Sequence, residues 1–147
     1  MGDFCNASTC GGFLRTPDGT FTEIPPDSNI PFDVNPAGAI TGNWCEGQGC
    51  HGYLRSPDGT FTSFDPPGGS GYQYTSPYAI NQAGAITGYS NSGGCCHGFL
   101  RAPDGTITTF DPPGSTFTTP AAINPSGVIT GQFYSATGKH GFVRIPH

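Results

Sequence analysis

Charge is scarce in this chain. One residue in ten is charged, the net charge is −5, and only five side chains are basic. Four of the five are Arg15, Arg55, Arg101 and Arg144, each at the same place in a repeated phrase, and the fifth is Lys139. Without a basic patch, nucleic-acid binding has no electrostatic footing. Long apolar runs are also missing. Nothing approaches the roughly 20 apolar residues of a membrane span, so no membrane insertion is expected. Helical periodicity is absent as well, because every window with apolar residues at that spacing is interrupted by Gly or Pro. The opening residues carry no charged-then-apolar leader, so no signal peptide is expected in this stretch.

What is abundant is punctuation: 24 Gly and 15 Pro. Scattered at random, such a share signals disorder. Here these residues fall at periodic turn positions, among 12% aromatic residues. Three phrases recur in fixed order with a period of about 43 residues, and periods of that size mark arrays, propellers or solenoids. The first is Gly-Phe-Leu-Arg followed by Pro-Asp-Gly, from Gly12 to Gly19, Gly52 to Gly59 and Gly98 to Gly105, with a last partial copy at Gly141-Phe142-Val143-Arg144. The second is Phe-Asp-Pro-Pro at Phe64–Pro67 and Phe110–Pro113, preceded by a weaker Ile24-Pro25-Pro26. The third is Asn-x-x-Gly-x-Ile-Thr-Gly at Asn35–Gly42, Asn81–Gly88 and Asn124–Gly131.

One unit reads as four short strands. Tyr78-Ala79-Ile80 leads into Asn81-Gln82-Ala83-Gly84, whose sister copies carry Pro at the second place, the residue choice of a type I turn. Ala85 to Tyr89 is the second strand and His97 to Arg101 the third. Pro103-Asp104-Gly105 turns the chain, because Pro presets φ and Gly accepts a positive one. Thr106 to Phe110 is the fourth strand, rich in β-branched and aromatic residues, and Pro112-Pro113 ends it. Gly52, Gly98 and Gly141 fall mid-strand, where Gly is costly unless another group comes close. Four antiparallel strands joined by tight turns make one propeller blade. The expected fold is therefore all-β, with β-propeller-type blades and about three and a half repeats in a single domain, 1–147. The units run roughly over 2–30, 31–75, 76–119 and 120–147. A β-trefoil is the alternative, since three units of four strands fit it numerically. Gly2 aligns with Gly42, Gly88 and Gly131, so the chain is expected to open in mid-repeat, as a trimmed fragment, a processed product or a deliberately cut design.

The phrases His51-Gly52-Tyr53-Leu54, His97-Gly98-Phe99-Leu100 and His140-Gly141-Phe142-Val143 resemble the His-Ala-Phe motif of extracellular HAF repeats. Ala-Ile-Asn-x-x-Gly-x-Ile-Thr-Gly is similar to that family's second phrase. Gly stands in place of the motif's Ala throughout, Arg follows where the family often has Trp, and Gly11 replaces the first His. The resemblance implies a secreted bacterial repeat protein of β-propeller architecture, with no catalytic residue to carry over.

Of the six Cys, Cys5 and Cys10 align with Cys45 and Cys50, each pair flanking the connection between a second and a third strand. Residues so placed across a hairpin face each other at bridging distance, which predicts disulfides Cys5–Cys10 and Cys45–Cys50 and an oxidising, extracellular compartment. Cys96 aligns with Cys50, but Asn91 holds its partner's place; a vicinal Cys95–Cys96 bridge or a link to another chain are the choices left. A zinc site is the rival, but the pairs lie in separate repeats with wider spacing than zinc uses, so no metal is expected. Asn6-Ala7-Ser8 is a glycosylation sequon, with Asn6 the acceptor.

Catalysis needs an asymmetric cluster. Asp3, Glu23, Asp27, Asp33 and Glu46 lie outside the repeat and form no pair, and no nucleophile elbow or phosphate loop occurs. Neither an enzyme nor a cofactor is expected. His51, His97 and His140 recur one per unit and are assigned to hydrogen bonds with a neighbouring blade. Arg15, Arg55 and Arg101 each precede Asp18, Asp58 or Asp104 by three residues, for a bridge to that Asp or to the next blade. Asp65 and Asp111 are expected to bond loop backbone. The longest connection, Gly68 to Pro77, holds Tyr72, Gln73 and Tyr74, with Tyr78 just after; together with Trp44 these are the candidate ligand-binding residues, suited to a glycan or a peptide. Incomplete terminal blades leave strand edges that recruit partners, so the first functional expectation is self-assembly as a homo-oligomer or filament, in a structural or scaffolding role. A carbohydrate- or peptide-binding module is the alternative.

Overall fold

Two kinds of tight turn organise the chain. In the first, Gly38, Gly84 and Gly127 donate their N–H to the carbonyls of Asn35, Asn81 and Asn124 at 2.9–3.0 Å. Each of these glycines has a positive φ of 80–87°, the left-handed conformation that closes a type I turn into a hairpin. The Asn side chain folds back over its own turn, accepting from Ala39, Ala85 or Val128 N–H. The second kind uses Gly19, Gly59 and Gly105 at φ 91–93°. There the Asp before Gly accepts from the Thr that follows: Thr20, Thr60 and Thr106 N–H donate to Asp18, Asp58 and Asp104 at 2.9–3.0 Å. The Thr60 and Thr106 bonds hold Asp58 and Asp104 below the usual carboxylate range. At Asp18 the Thr16 hydroxyl contributes most, ahead of Thr20. A depressed folded pKa means that the unfolded chain binds more protons in the acid window. Stability from these turns is therefore present above about pH 4 and lost as pH falls through the folded values. Asp104→Asn is expected to flatten the slope of stability against pH below about pH 4 and to leave it unchanged near neutrality; urea midpoints between these limits measure it.

The structure is a computed structural model that describes residues 1–5, 10–25, 29–68, 73–91 and 96–146. The fold is all-β, with no helix among those residues. The first sheet holds β1 (Gly2–Cys5), β2 (Cys10–Arg15) and β3 (Phe21–Ile24). The second holds β4 (Asn29–Val34), β5 (Ile40–Glu46), β6 (Gly49–Arg55) and β7 (Phe61–Phe64). In the third are β8 (Thr75–Ile80), β9 (Ile86–Ser90), β10 (His97–Arg101) and β11 (Ile107–Phe110). The fourth has β12 (Ser115–Ile123), β13 (Ile129–Ser135) and β14 (Gly138–Arg144). Each sheet is an antiparallel meander in chain order, one repeat per sheet. By the alignment of Gly2 with Gly42, the first sheet carries strands two to four of a unit and the last carries strands one to three. The described strands form four separate sheets and do not close into one barrel, so the β-trefoil alternative is set aside.

First strands run longer than the sequence indicates. β8 begins at Thr75 and passes through Pro77, although that proline reads as the end of a loop. It is tolerated because β8 is an edge strand, where a missing N–H costs no ladder bond, and because the register slips just after it, between Pro77 and Ala79. The same slip follows Pro31 and Pro120. Opposite these bulges lie Gly42, Gly88 and Gly131, where a Cβ would come within 2.0–2.3 Å of the carbonyl oxygens of Ile30, Ser76 and Thr119. This is why Ile-Thr must be followed by Gly. Mid-strand Gly52 is likewise closed by a ring, with Phe64 2.8 Å from where its Cβ would be.

The core lies between sheets. Ile24, Ile40 and Tyr53 are buried where the first sheet meets the second, with Leu14 and Phe61 packed against them. Ala39, Phe64, Ile80, Ile86 and Phe99 fill the next junction, with Leu54 and Ile107 at its margin. In β6 and β10 the aromatic position (Tyr53, Phe99) thus faces the preceding sheet, and Leu14 and Leu54 face the following one. Both predicted disulfides are present, Cys5–Cys10 and Cys45–Cys50, each with Cα atoms 4.0 Å apart across its hairpin. They fit an oxidising compartment. Cys96 is buried, with φ 61°. Cys95 lies outside the described residues, and the pairing considered for it does too.

Candidate functional site

Three arrangements of side chains recur between sheets, and a fourth occurs once. The first is a fastener. His51 Nδ1–H donates to Asp65 at 2.6 Å, and the other carboxylate oxygen accepts the Thr75 hydroxyl at 2.5 Å. His97, Asp111 and Thr118 repeat it at 2.6 and 2.5 Å. Here His lies in the third strand, Asp follows the fourth, and Thr belongs to the next sheet. Asp65 and Asp111 therefore bond side chains, where loop backbone was expected. Among the described residues, His51 and His97 hydrogen-bond the Asp, and the Asp carries the link to the neighbouring sheet. The hydroxyl sits on the carboxylate and not on the imidazole, so the trio lacks the nucleophile-to-base contact of a hydrolytic triad. The first junction has Gly11 and Pro25 at the His and Asp places, and Asn29 at the Thr place donates its amide to the Ile24 carbonyl instead. His140 hydrogen-bonds Thr137 at 2.9 Å and stacks on Phe133.

The arginines choose rings over carboxylates. Arg101 lies over Phe64 of the preceding sheet, 5.1 Å from the centroid, and Arg144 lies over Phe110 at 4.9 Å. Arg15 covers Phe21 at 5.7 Å within its own sheet. Among the described residues no Arg forms an ion pair with an Asp. An exposed pair would contribute only about 0–1 kcal/mol, whereas the ring contact also covers apolar stem.

An asparagine ladder links the first-kind turns. Asn35 Nδ2 donates to the Asn81 carbonyl and Asn81 Nδ2 to the Asn124 carbonyl, both at 3.1 Å. Asn35 and Asn81 thus each cap their own turn and tie it to the next, while Asn124 caps its own turn and receives the link.

The fourth arrangement is an aromatic row. The bulge of each first strand carries out the residue after its proline, and these are Phe32, Tyr78 and Ala121. Phe32 meets Tyr78 edge-on at 5.5 Å, Tyr78 lies 5.6 Å from Tyr89, and Tyr74 lies 6.0 Å from Tyr89. Tyr89 continues to Phe117 at 6.0 Å and Phe117 to Tyr134 at 5.9 Å. Burial, and then the hydroxyls of Tyr78 and Tyr74, push the Tyr89 phenol well above its usual value, so it stays neutral. Beside Tyr78, at Ala121, a cleft of about 610 Å³ opens against Thr119, Pro120, Thr130 and Gln132.

The candidate binding residues therefore separate. Tyr74 and Tyr78 join the row. Gln73 is engaged at the junction, its carbonyl accepting Cys50 N–H at 2.8 Å and its amide bonding Thr75 at 3.1 Å. Trp44 is elsewhere, donating to Ser63 at 3.0 Å and lying against His51 and Phe61. Tyr72 and the sequon residue Asn6 lie outside the described residues. Sequence reasoning missed Phe32, Tyr89, Phe117 and Tyr134. The signal for Phe32 was available, since Pro31-Phe32 aligns with Pro77-Tyr78 and Pro120-Ala121. Comparison with protein-family models and with curated proteins finds no match for this chain.

Proposed function

We propose that this chain is a secreted, non-catalytic repeat protein that works by stacking copies of itself head to tail. The observation that carries this reading is that the two terminal sheets present unlike halves of the junction used inside the molecule. Leu54 packs into an internal core, but its counterpart Val143 is 66% exposed. Phe61 packs at the first junction, but its counterpart Phe21 is 64% exposed. Phe4 and Phe13 surround Phe21 with Glu23 in a hollow of about 380 Å³. Ile145, also 66% exposed, extends the opposite patch. Thr41 and Thr87 are fully buried, while their counterpart Thr130 is open. Covering Val143 with the Phe21 hollow of a second copy would reproduce an internal junction, and each large side chain so buried contributes roughly 1.5–3 kcal/mol. The resemblance to secreted HAF-type repeats and the two disulfides support an extracellular setting.

Such a contact is heterologous, closing into a ring or extending as a filament according to the rotation per copy. Light scattering of the wild-type chain is expected to show mass rising with concentration. Val143→Asp and Phe21→Asp should each remain single, because each loses one half of the junction. Mixed together, the two variants should form a pair and stop there, since one intact half survives on each. A wild-type chain that stays monomeric to about 1 mM, where even a contact worth about 4 kcal/mol would be half-filled, would defeat the reading. Electron microscopy of the assembled material separates ring from filament.

A further inference from the structure

The repeat supplies an aromatic ring at two of its three bulges and omits it at the last. Phe32 closes against Tyr78, but Ala121 offers Tyr78 nothing, and the cleft of about 610 Å³ occupies the place where the next ring would lie. We propose that this cleft is a binding site for a neutral sugar ring, laid against Tyr78 and Pro120 and hydrogen-bonded by Gln132 and Thr130.

Size and chemistry both favour this occupant. The volume falls among those of small-molecule sites. Tyr78 is held by Phe32 on one side and Tyr89 on another, so the platform is set before a ligand arrives and little ordering is lost on binding. A pyranose presents a face of C–H groups that suits the electron-rich face of a phenol ring. Among the described residues no charged one lines the cleft, so an anionic or cationic ligand would shed its water without compensation. The amide of Gln132 and the hydroxyl of Thr130 both donate and accept, which matches sugar hydroxyls. An aromatic side chain from a peptide would satisfy Tyr78 but leave these groups unused.

The cleft shares Thr130, the ladder partner of Val143, with the stacking face of the last sheet, so it is tested on the Phe21→Asp chain, which leaves that sheet intact and lets failure of stacking and failure of binding be read separately. The probes are cellohexaose, mannohexaose and maltohexaose, titrated while the amide chemical shifts of Gly131 and Gln132 are followed. At least one is expected to give a saturable shift. Ala121→Phe places at the bulge the residue that Phe32 already carries there, and should abolish the shift with the far-ultraviolet spectrum unchanged. Gln132→Ala should weaken binding about fivefold, the value of one neutral hydrogen bond. The proposal is overturned if no hexasaccharide saturates below about 10 mM, a contact of under 3 kcal/mol. It is equally overturned if Ala121→Phe binds as the parent does, or if N-acetylphenylalanine amide fills the cleft and the sugars do not.

Discussion

Replacing Phe99 with alanine is expected to lower stability by about 3–5 kcal/mol, the range for deleting a fully buried aromatic ring. In a chain of this size that is a fall in Tm of roughly 2–4 °C per kcal/mol. The same substitution at Phe142, one unit later, should cost measurably less, since a partly exposed ring forfeits only part of that burial. The two positions share a motif, a strand and a neighbouring Arg. They differ in what lies around them. Phe99 is fully buried between Phe64 and the aliphatic side chains of two sheets. Phe142 meets Phe110 at 6.0 Å but stays partly exposed. Urea unfolding gives both numbers. Equal losses would mean that stability comes from within each sheet and not from between sheets, and the stacking account would fail with it.

Removing the carboxylate of the fastener should have the second-largest effect. Asp111→Ala removes the acceptor shared by the His97 N–H and the Thr118 hydroxyl, leaving the hydroxyl the longer contact to Ser115 at 3.3 Å. Hydrogen bonds to a charged acceptor contribute about 1.5–3 kcal/mol each, and the His and Asp side chains are 35% and 34% exposed. Solvent screening discounts that sum, which leaves about 2–3 kcal/mol. Asp65→Ala should cost a similar amount. His97→Ala added to Asp111→Ala should cost little more, because its partner has already gone, and this non-additivity is the signature of direct coupling. Hydrogen exchange should quicken at Thr118, whose N–H donates to the Cys96 carbonyl across the junction at 2.8 Å. Fully additive losses would show that His97 and Asp111 act independently.

Local chemistry made much of this fold legible in the sequence. Asn-Pro-Ala-Gly and Pro-Asp-Gly specify their turns residue by residue, and the hairpin register then set Cys5 opposite Cys10 and Cys45 opposite Cys50. Legibility faded where a residue finds its partner in another sheet. Arg101 has Asp104 three residues away, yet the ring of Phe64, far off in sequence, takes its guanidinium. His51 and Asp65 both recur with the repeat, but nothing local says that the chain returns after the fourth strand to set one beside the other. Pro77 looked like a stop because edge position and bulge are tertiary facts. The cleft was half visible: Ala121 breaks a column of rings that aligning the units exposes, but only the bulge shows that the column points at Tyr78.

The asparagine ladder has a consequence for how such units add up. Every amide in it gives its hydrogen in one sense along the row, from Asn35 toward Asn124. A unit inserted backwards would set donor against donor, or acceptor against acceptor. The row is therefore an arrow: any further unit would have to join it in a single orientation, and its two tips are unlike.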